Sequence, residues 1–410
     1  MRISTASIYE TATNQMGTLQ SSLAKTQLQL SSNRRMLTAA DDPIASARAL
    51  EVTQSQSINT QFVTNRQNAR SSLSQVELAL TGVTTLIQDV QTIAVAGGNG
   101  SLTQADRETF ATELSGRLDD LLGLANSADG AGGYLFSGYK STTTPFTQTA
   151  TGAQYQGDQG QRQLQVGSSR KVAISDSGGS IFENNVTGNG TFTTGPGAAN
   201  TGSGIASSGA VSDAALMTGH DYQITFAVSG TPAATTYSVI DTTTGLPPPP
   251  PSVATDVPYQ SGKTISFDGI GFDVKGAPAA GDTFSVKPSG KQSIFTTLTS
   301  MIAALRTPAD GPAGQARLTN DLNAAHDNLN SALDNVLGVR ASIGSRMKEL
   351  DHLDSAGEDL NIQYASTLSD LQDLDQVKAI SLYSQQQTML EAAQKSFKSL
   401  SGLSLFNYIG

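Results

Sequence analysis

The stretch INTQFVTNRQNARSSLSQVELALTGVTTLIQDVQTIA, residues 58–94, decides the fold. Its apolar or small positions are Ile58, Phe62, Ala69, Leu73, Val76, Leu80, Val83, Ile87, Val90 and Ala94, in alternating steps of three and four apart from a polar position near Asn65. Such a heptad stripe is the mark of helices packing side by side. Upstream, Asp42 can cap and Pro43 suits a first helical position, where its missing N–H costs nothing. Downstream, Gly97-Gly98-Asn99-Gly100 is a strong stop. A helix from Pro43 to about Ala96 would be about 80 Å long.

A second helix is expected from Thr103, with Asp106 as its capping-box partner and a seam of Phe110, Leu114, Leu118, Leu121 and Ala125. Near the other end, Ile294, Leu298, Ile302 and Leu305 mark a short helix that ends before Pro308. A long seam follows: Leu318, Leu322, Ala325, Leu329, Ala332, Val336, Val339, Ile343, Met347, Leu350 and Leu353, continuing through Leu360, Tyr364, Leu368 and Leu371. A pattern this long predicts a coiled coil or rod.

Proline and glycine separate these flanks from the middle. Residues 146–290 hold 22 of 40 glycines and 10 of 14 prolines, whereas 44–144 and 313–410 contain no proline, so only the flanks can be helical over long distances. The middle reads as β: Tyr222, Ile224, Phe226 and Val228 alternate with polar residues, as do Leu164 with Val166, Val172 with Ile174, and Phe284 with Val286. Residues 265–274 read as a hairpin turning at Asp268-Gly269. Gly188 to Gly209 and the run Pro247 to Pro251 read as loops.

The expected fold class is α+β: a long antiparallel helical rod made by both chain ends, with an inserted all-β domain. The divisions expected are an N-terminal assembly helix 1–42, a rod segment 43–145, the β insertion 146–288, a rod segment 289–370 and a C-terminal assembly helix 371–410. The Gly/Ser/Thr-rich stretch 184–212 leaves one or two β subdomains open.

The ends carry a weaker pattern. Ile8, Ala12, Gln15, Leu19, Leu23, Thr26, Leu30, Asn33 and Leu37 face Val377, Ile380, Tyr383, Leu390, Ala393, Phe397, Leu400, Leu403, Leu405, Phe406, Tyr408 and Ile409. The first of these seams is partly polar, so a two-helix coil built on it is expected to be marginal alone. The expectation is that Ile8, Leu19, Leu23 and Leu30 pair with Leu390, Phe397, Leu400 and Leu405 only on assembly, with Leu403, Phe406 and Ile409 in the same interface.

Composition narrows the function. A net charge of −10, with 25 basic against 35 acidic residues, argues against nucleic acid. Without cysteine there is no disulfide, thiolate metal site or cysteine nucleophile. The first residues, MRISTASIYETATNQMG, have no apolar h-region, and no run approaches the roughly 18 apolar residues of a membrane span. No HExxH, nucleophile elbow or Walker A motif is present. His352 and His326 flank seam positions without i, i+4 ligand partners, and His220 lies in a Gly-rich loop, so neither catalytic nor metal-binding residues are assigned. Gly195-Pro-Gly197 with Gly202 is a poor phosphate loop. Arg34 and Arg35, near Asp41 and Asp42, read as solvated, with an inter-subunit ion pair as the alternative. An enzyme hidden in 146–290 and a surface adhesin with a stalk and β head are the competing readings. The first lacks a constellation and the second a signal peptide.

Several segments resemble the flagellin superfamily: MRIST at the start, Leu30-Ser-Ser-Asn-Arg-Arg-Met-Leu-Thr-Ala-Ala-Asp-Asp-Pro43, Asn99-Gly-Ser-Leu-Thr-Gln-Ala-Asp-Arg107, Tyr134-Leu-Phe-Ser-Gly138, Tyr155-Gln-Gly-Asp158, Ala280-Gly-Asp-Thr-Phe-Ser-Val286 and Leu403-Ser-Leu-Phe-Asn-Tyr-Ile409. They are closer to its hook–filament junction branch than to filament subunits, which begin and end differently. Asn33, Arg34, Asp41, Asp42 and Pro43 carry the family motif, with Asn33 standing where the family usually has Gly. The resemblance implies a structural subunit of the bacterial flagellum, outside the cell, exported without a cleaved signal through the flagellar apparatus. It implies no cofactor. Its implied partners are further copies in a ring, a hook-associated protein on the hook side, flagellin on the filament side, and a cytosolic export chaperone at the C-terminal segment.

Overall fold

A computed structural model describes residues 5–249 and 255–402. The fold is α+β. Six helices come from the two chain ends: α1 (Thr5–Ser32), α2 (Pro43–Gly97), α3 (Gln104–Ala125), α4 (Ile294–Arg306), α5 (Gly311–Gln372) and α6 (Gln376–Gly402). Antiparallel strands lie between α3 and α4. The chain divides into two compact units, Met1–Thr64 with His352–Gly410, and Asn65–Asp351; the boundaries fall inside α2 and α5.

In the unit Asn65–Asp351 the expected seams are the core. Ala69, Leu73, Val76, Leu80, Val83, Ile87, Val90 and Ala94 of α2 are buried, as are Leu318, Leu322, Ala325, Leu329, Ala332, Val336, Ile343 and Leu350 of α5. All four seam residues of α4 are buried, and α3 contributes Leu114, Leu121 and Ala125. By length and composition α2 is apolar enough to cross a membrane, but its apolar stripe faces protein. Helix starts follow local chemistry. The Ala45 amide donates to Asp42 Oδ1 at 3.0 Å, and Thr103 and Asp106 form the expected capping box of α3.

Residues 126–145 depart from the expected helical segment. They form a non-helical connection that buries Leu135 and Phe136. Here two of the quoted segments meet. Gly138 sits at φ 71°, which a side chain disfavours, and the Asp158 carboxylate accepts from the Tyr139 and Lys140 amides at 3.0 Å each. The Tyr155 hydroxyl lies 2.8 Å from the Phe136 carbonyl oxygen and 2.7 Å from that of Asp158. Phe146, Phe182 and Phe295 complete an aromatic cluster with Phe136, at centroid spacings of 5.0 to 6.0 Å.

A second apolar cluster holds the larger sheets. Five strands run in the order 257–258, 234–241, 222–229, 283–288, 192–196, and four strands contain 264–267, 270–275, 205–206 and 210–211. Tyr222, Ile224, Phe226, Phe272, Phe284 and Val286 are buried between them. The 265–274 hairpin turns at Asp268 (φ 42°) and Gly269 (φ 75°), the pair of positive angles a tight two-residue hairpin requires. Gly188 to Gly209, expected as loop, supplies strands 192–196 and 205–206. Phe192 and Ala206 anchor them in this core, a tertiary gain that short Gly/Thr-rich segments do not announce. Residues 247–249 have no regular structure, and Pro250 and Pro251 lie outside the described residues.

The insertion closes at one point. Asn185 pairs with Gln292 and Val186 with Lys291. Replacing residues 188–289 by a short turn should therefore leave the helices and the Phe136 cluster folded. Far-ultraviolet circular dichroism through a melt should retain a cooperative helical transition. Its loss would show that the second cluster is required for the first.

Candidate assembly interface

The unit Met1–Thr64 with His352–Gly410 is built differently. Among its described residues, the buried apolar side chains are three alanines, Ala45, Ala49 and Ala379. The heptad stripe continues, but its residues sink only halfway: Phe62, Leu353, Tyr364, Leu368 and Leu371 are half-buried and Leu360 is exposed. Eleven of the twenty exposed large apolar side chains lie here, in under a third of the chain. They include Ile44 (71% exposed), Leu50 (70%), Ile362 (69%) and Val377 (80%).

Helices α1 and α6 lie antiparallel. The rings of Tyr9 and Phe397 meet edge to face at 5.7 Å, and Thr26 Oγ1 lies 2.9 Å from Gln386 Oε1. Thr26, a polar seam position, is buried by that contact. The two helices expected to pair only on assembly thus already meet within one chain, through Tyr9–Phe397 and Thr26–Gln386. Leu19, Leu23, Leu30, Leu390 and Phe397 are half-buried and Ile8 is 39% exposed. Leu400 lies within α6, its side chain outside the described residues; Leu403, Leu405, Phe406 and Ile409 also lie outside them.

Both helical paths are interrupted and the interruptions are tied together. The expected seam positions Asn33 and Leu37 fall beyond the end of α1. Asn33 takes φ 55°, a left-handed angle that Asn tolerates, and the residue before Pro43 is disfavoured in a helix. Across from it, 373–375 break the path between α5 and α6, a break the seam reading missed. The signal was Asp375, whose Oδ1 accepts from the Lys378 amide at 3.1 Å as an N-terminal cap. The Arg35 amide donates to Gln372 O at 2.8 Å, its guanidinium to Leu371 O at 2.8 Å, and Gln376 Nε2 to Asn33 Oδ1 at 3.0 Å. Arg35 also pairs with Asp42 at 3.3 Å within the chain, whereas Arg34 makes no ion pair among the described residues.

Asp41 organises the first break. Its carboxylate accepts from Lys25 Nζ at 2.6 Å and from the Leu37 and Thr38 amides at 2.9 Å each. The Lys25 ammonium first, then those amides, hold its acid well below the usual carboxylate range. A depressed folded-state acid stabilises above its unfolded value near 3.9 and loses that contribution as pH falls through the folded value. The protection of the Leu37 and Thr38 amides, measured against the exchange of an unfolded chain at the same pH, should hold down to about pH 4 and fall progressively below it, while Asp41→Asn should lower it at neutral pH. Equal protection in both proteins would refute this role.

His352 is exposed, His326 is half-buried, and His220 Nδ1 lies 2.7 Å from Asp241. Among the described residues no group of three or more His, Asp or Glu could hold a metal ion.

Residues 3–141 match the family described as the bacterial flagellin N-terminal helical region. Flagellar hook-associated protein 3 of Escherichia coli K12 is 30% identical over 407 residues, covering 99% of each chain. The chain belongs to the flagellar hook-associated protein 3 family. Solved structures in this family agree: the flagellar junction protein FlgL of Legionella pneumophila (TM-score 0.72, 33% identity, 80% of this chain and 100% of that one) and FlgL of Xanthomonas campestris (0.70, 31%, 78% and 99%). Those relatives are structural proteins of the bacterial flagellum, and the hook-associated protein 3 fold of long terminal helices around an inserted sheet region is the fold described above.

Proposed function

We propose that this protein is the structural subunit joining the flagellar hook to the flagellin filament, and that the unit Met1–Thr64 with His352–Gly410 is its assembly element. The observation that carries this reading is the eleven exposed large apolar side chains on a unit whose buried apolar residues are alanines. Narrow apolar faces of this kind are buried when subunits pack around a symmetry axis. Residues 1–42 and 371–410 make the centre of the interface, continued by the start of α2 and the end of α5; the rest of 43–145 and 289–370 is the scaffold, and 146–288 the insertion. Copies form a ring, meeting a second hook-associated protein on one side and flagellin on the other. The role is not catalytic. Export without a cleaved signal and chaperoning of the C-terminal segment in the cytosol belong to the same reading.

The test is a strain lacking this protein, complemented in trans. The wild-type gene should restore attached filaments. Without it, hooks should be intact and flagellin released to the medium. Normal filaments in the deletion strain would end the proposal.

A further inference from the structure

Beside the tied breaks lies an open groove of about 540 Å³, formed by the 34–39 turn, the first turns of α2 and Gln372. Met36, Leu37, Ala47 and Leu50 line it, and Arg34 is the one charged lining residue. Leu50, 70% exposed, is among the most exposed apolar residues of the chain. No described segment fills this groove.

The chain carries a segment of matching chemistry. Residues 403–409, LSLFNYI, follow the end of α6, contain no charged residue and hold five apolar or aromatic side chains. They cannot reach the groove of their own chain. Helix α6 starts beside the groove, where Gln376 meets Asn33, and its 27 residues carry the chain about 40 Å away. Seven residues, fully extended, return at most about 25 Å.

We infer that the groove at residues 34–53 receives the 403–409 segment of a second copy. This rests on the assembly role proposed above and names one of its contacts. The contact is heterologous, groove to tail, and so propagates around or along an assembly rather than closing a dimer. Phe406 is the largest wholly apolar side chain of the segment, and aromatic anchors concentrate binding energy in small apolar pockets.

The test uses the full-length protein and a synthetic peptide of residues 399–410 carrying a photoreactive phenylalanine analogue at position 406. The peptide should bind saturably and cross-link to residues 36–53. Leu50→Asp in the protein, an exposed position where circular dichroism should be unchanged, should weaken binding at least tenfold, as should Phe406→Asp in an otherwise natural peptide. Cross-links confined to α1 or α6, indifference to Leu50→Asp, or no saturable binding would each overturn the inference. If those results came while removal of the terminal segments still detached filaments, the assembly role would stand and this contact alone would fall.

Discussion

Removing residues 1–32 and 373–410 should leave a protein that melts like the intact chain and cannot attach a filament. The asymmetry follows from where the apolar area lies. Apart from alanine 379, every buried apolar residue of the described chain lies between Ala45 and Leu350, so the deletion leaves the seams, both aromatic clusters and the Arg346–Asp176 fork at 2.9 Å intact. What it removes are α1, α6 and six of that unit's eleven exposed large apolar side chains, Ile8, Leu28, Val377, Ile380, Leu382 and Met389. A shift in melting temperature of no more than a few degrees is expected for the loss of such half-buried contacts. In cells the truncated protein should give flagellin in the medium and no swimming. A truncated protein that unfolds at much lower temperature would mean the terminal pair is part of the folding core. One that still attaches filaments would mean assembly runs through another surface.

The second large effect separates depth from periodicity. Leu329 and Leu360 both occupy stripe positions of α5, but the first is fully buried and the second 41% exposed. Leu329→Ala should destabilise the isolated chain by about 2–5 kcal/mol, as truncation of a fully enclosed leucine does. Leu360→Ala should change it by less than about 0.5 kcal/mol, as expected at an exposed position. Denaturant titration of the two variants measures this directly. Equal destabilisation by the two substitutions would show that α5 is enclosed alike along its length.

That pair also shows what the sequence could and could not say. The step of three and four located the buried face of α2 from Ala69 to Ala94, four core positions of α4 (though not Phe295 or Met301), and the capping box at Thr103, since these depend on neighbours in the chain. The Asp268-Gly269 hairpin was legible for the same reason. Periodicity reports which face is inward, not how much lies across from it, so Leu329 and Leu360 looked alike. The breaks at 33–42 and 373–375 were illegible as a unit, because each is stabilised by the other through Arg35, Asn33 and Gln376. Strands 192–196 and 205–206 look like loop in sequence because their stability comes from Phe284, Val274 and other distant partners rather than from local pattern. The quoted segments at 134–138 and 155–158 carried the resemblance, but only the structure shows that they hold each other.

The antiparallel pairing of α1 with α6 puts the first described turn of the chain beside the last. Tension applied at either end therefore acts crosswise on that pair, opening it at Tyr9 and Phe397 and proceeding turn by turn, like a zip. No step has to break the whole contact at once, and local opening of weakly packed segments needs far less free energy than global unfolding. A chain arranged this way is easy to thread from its ends.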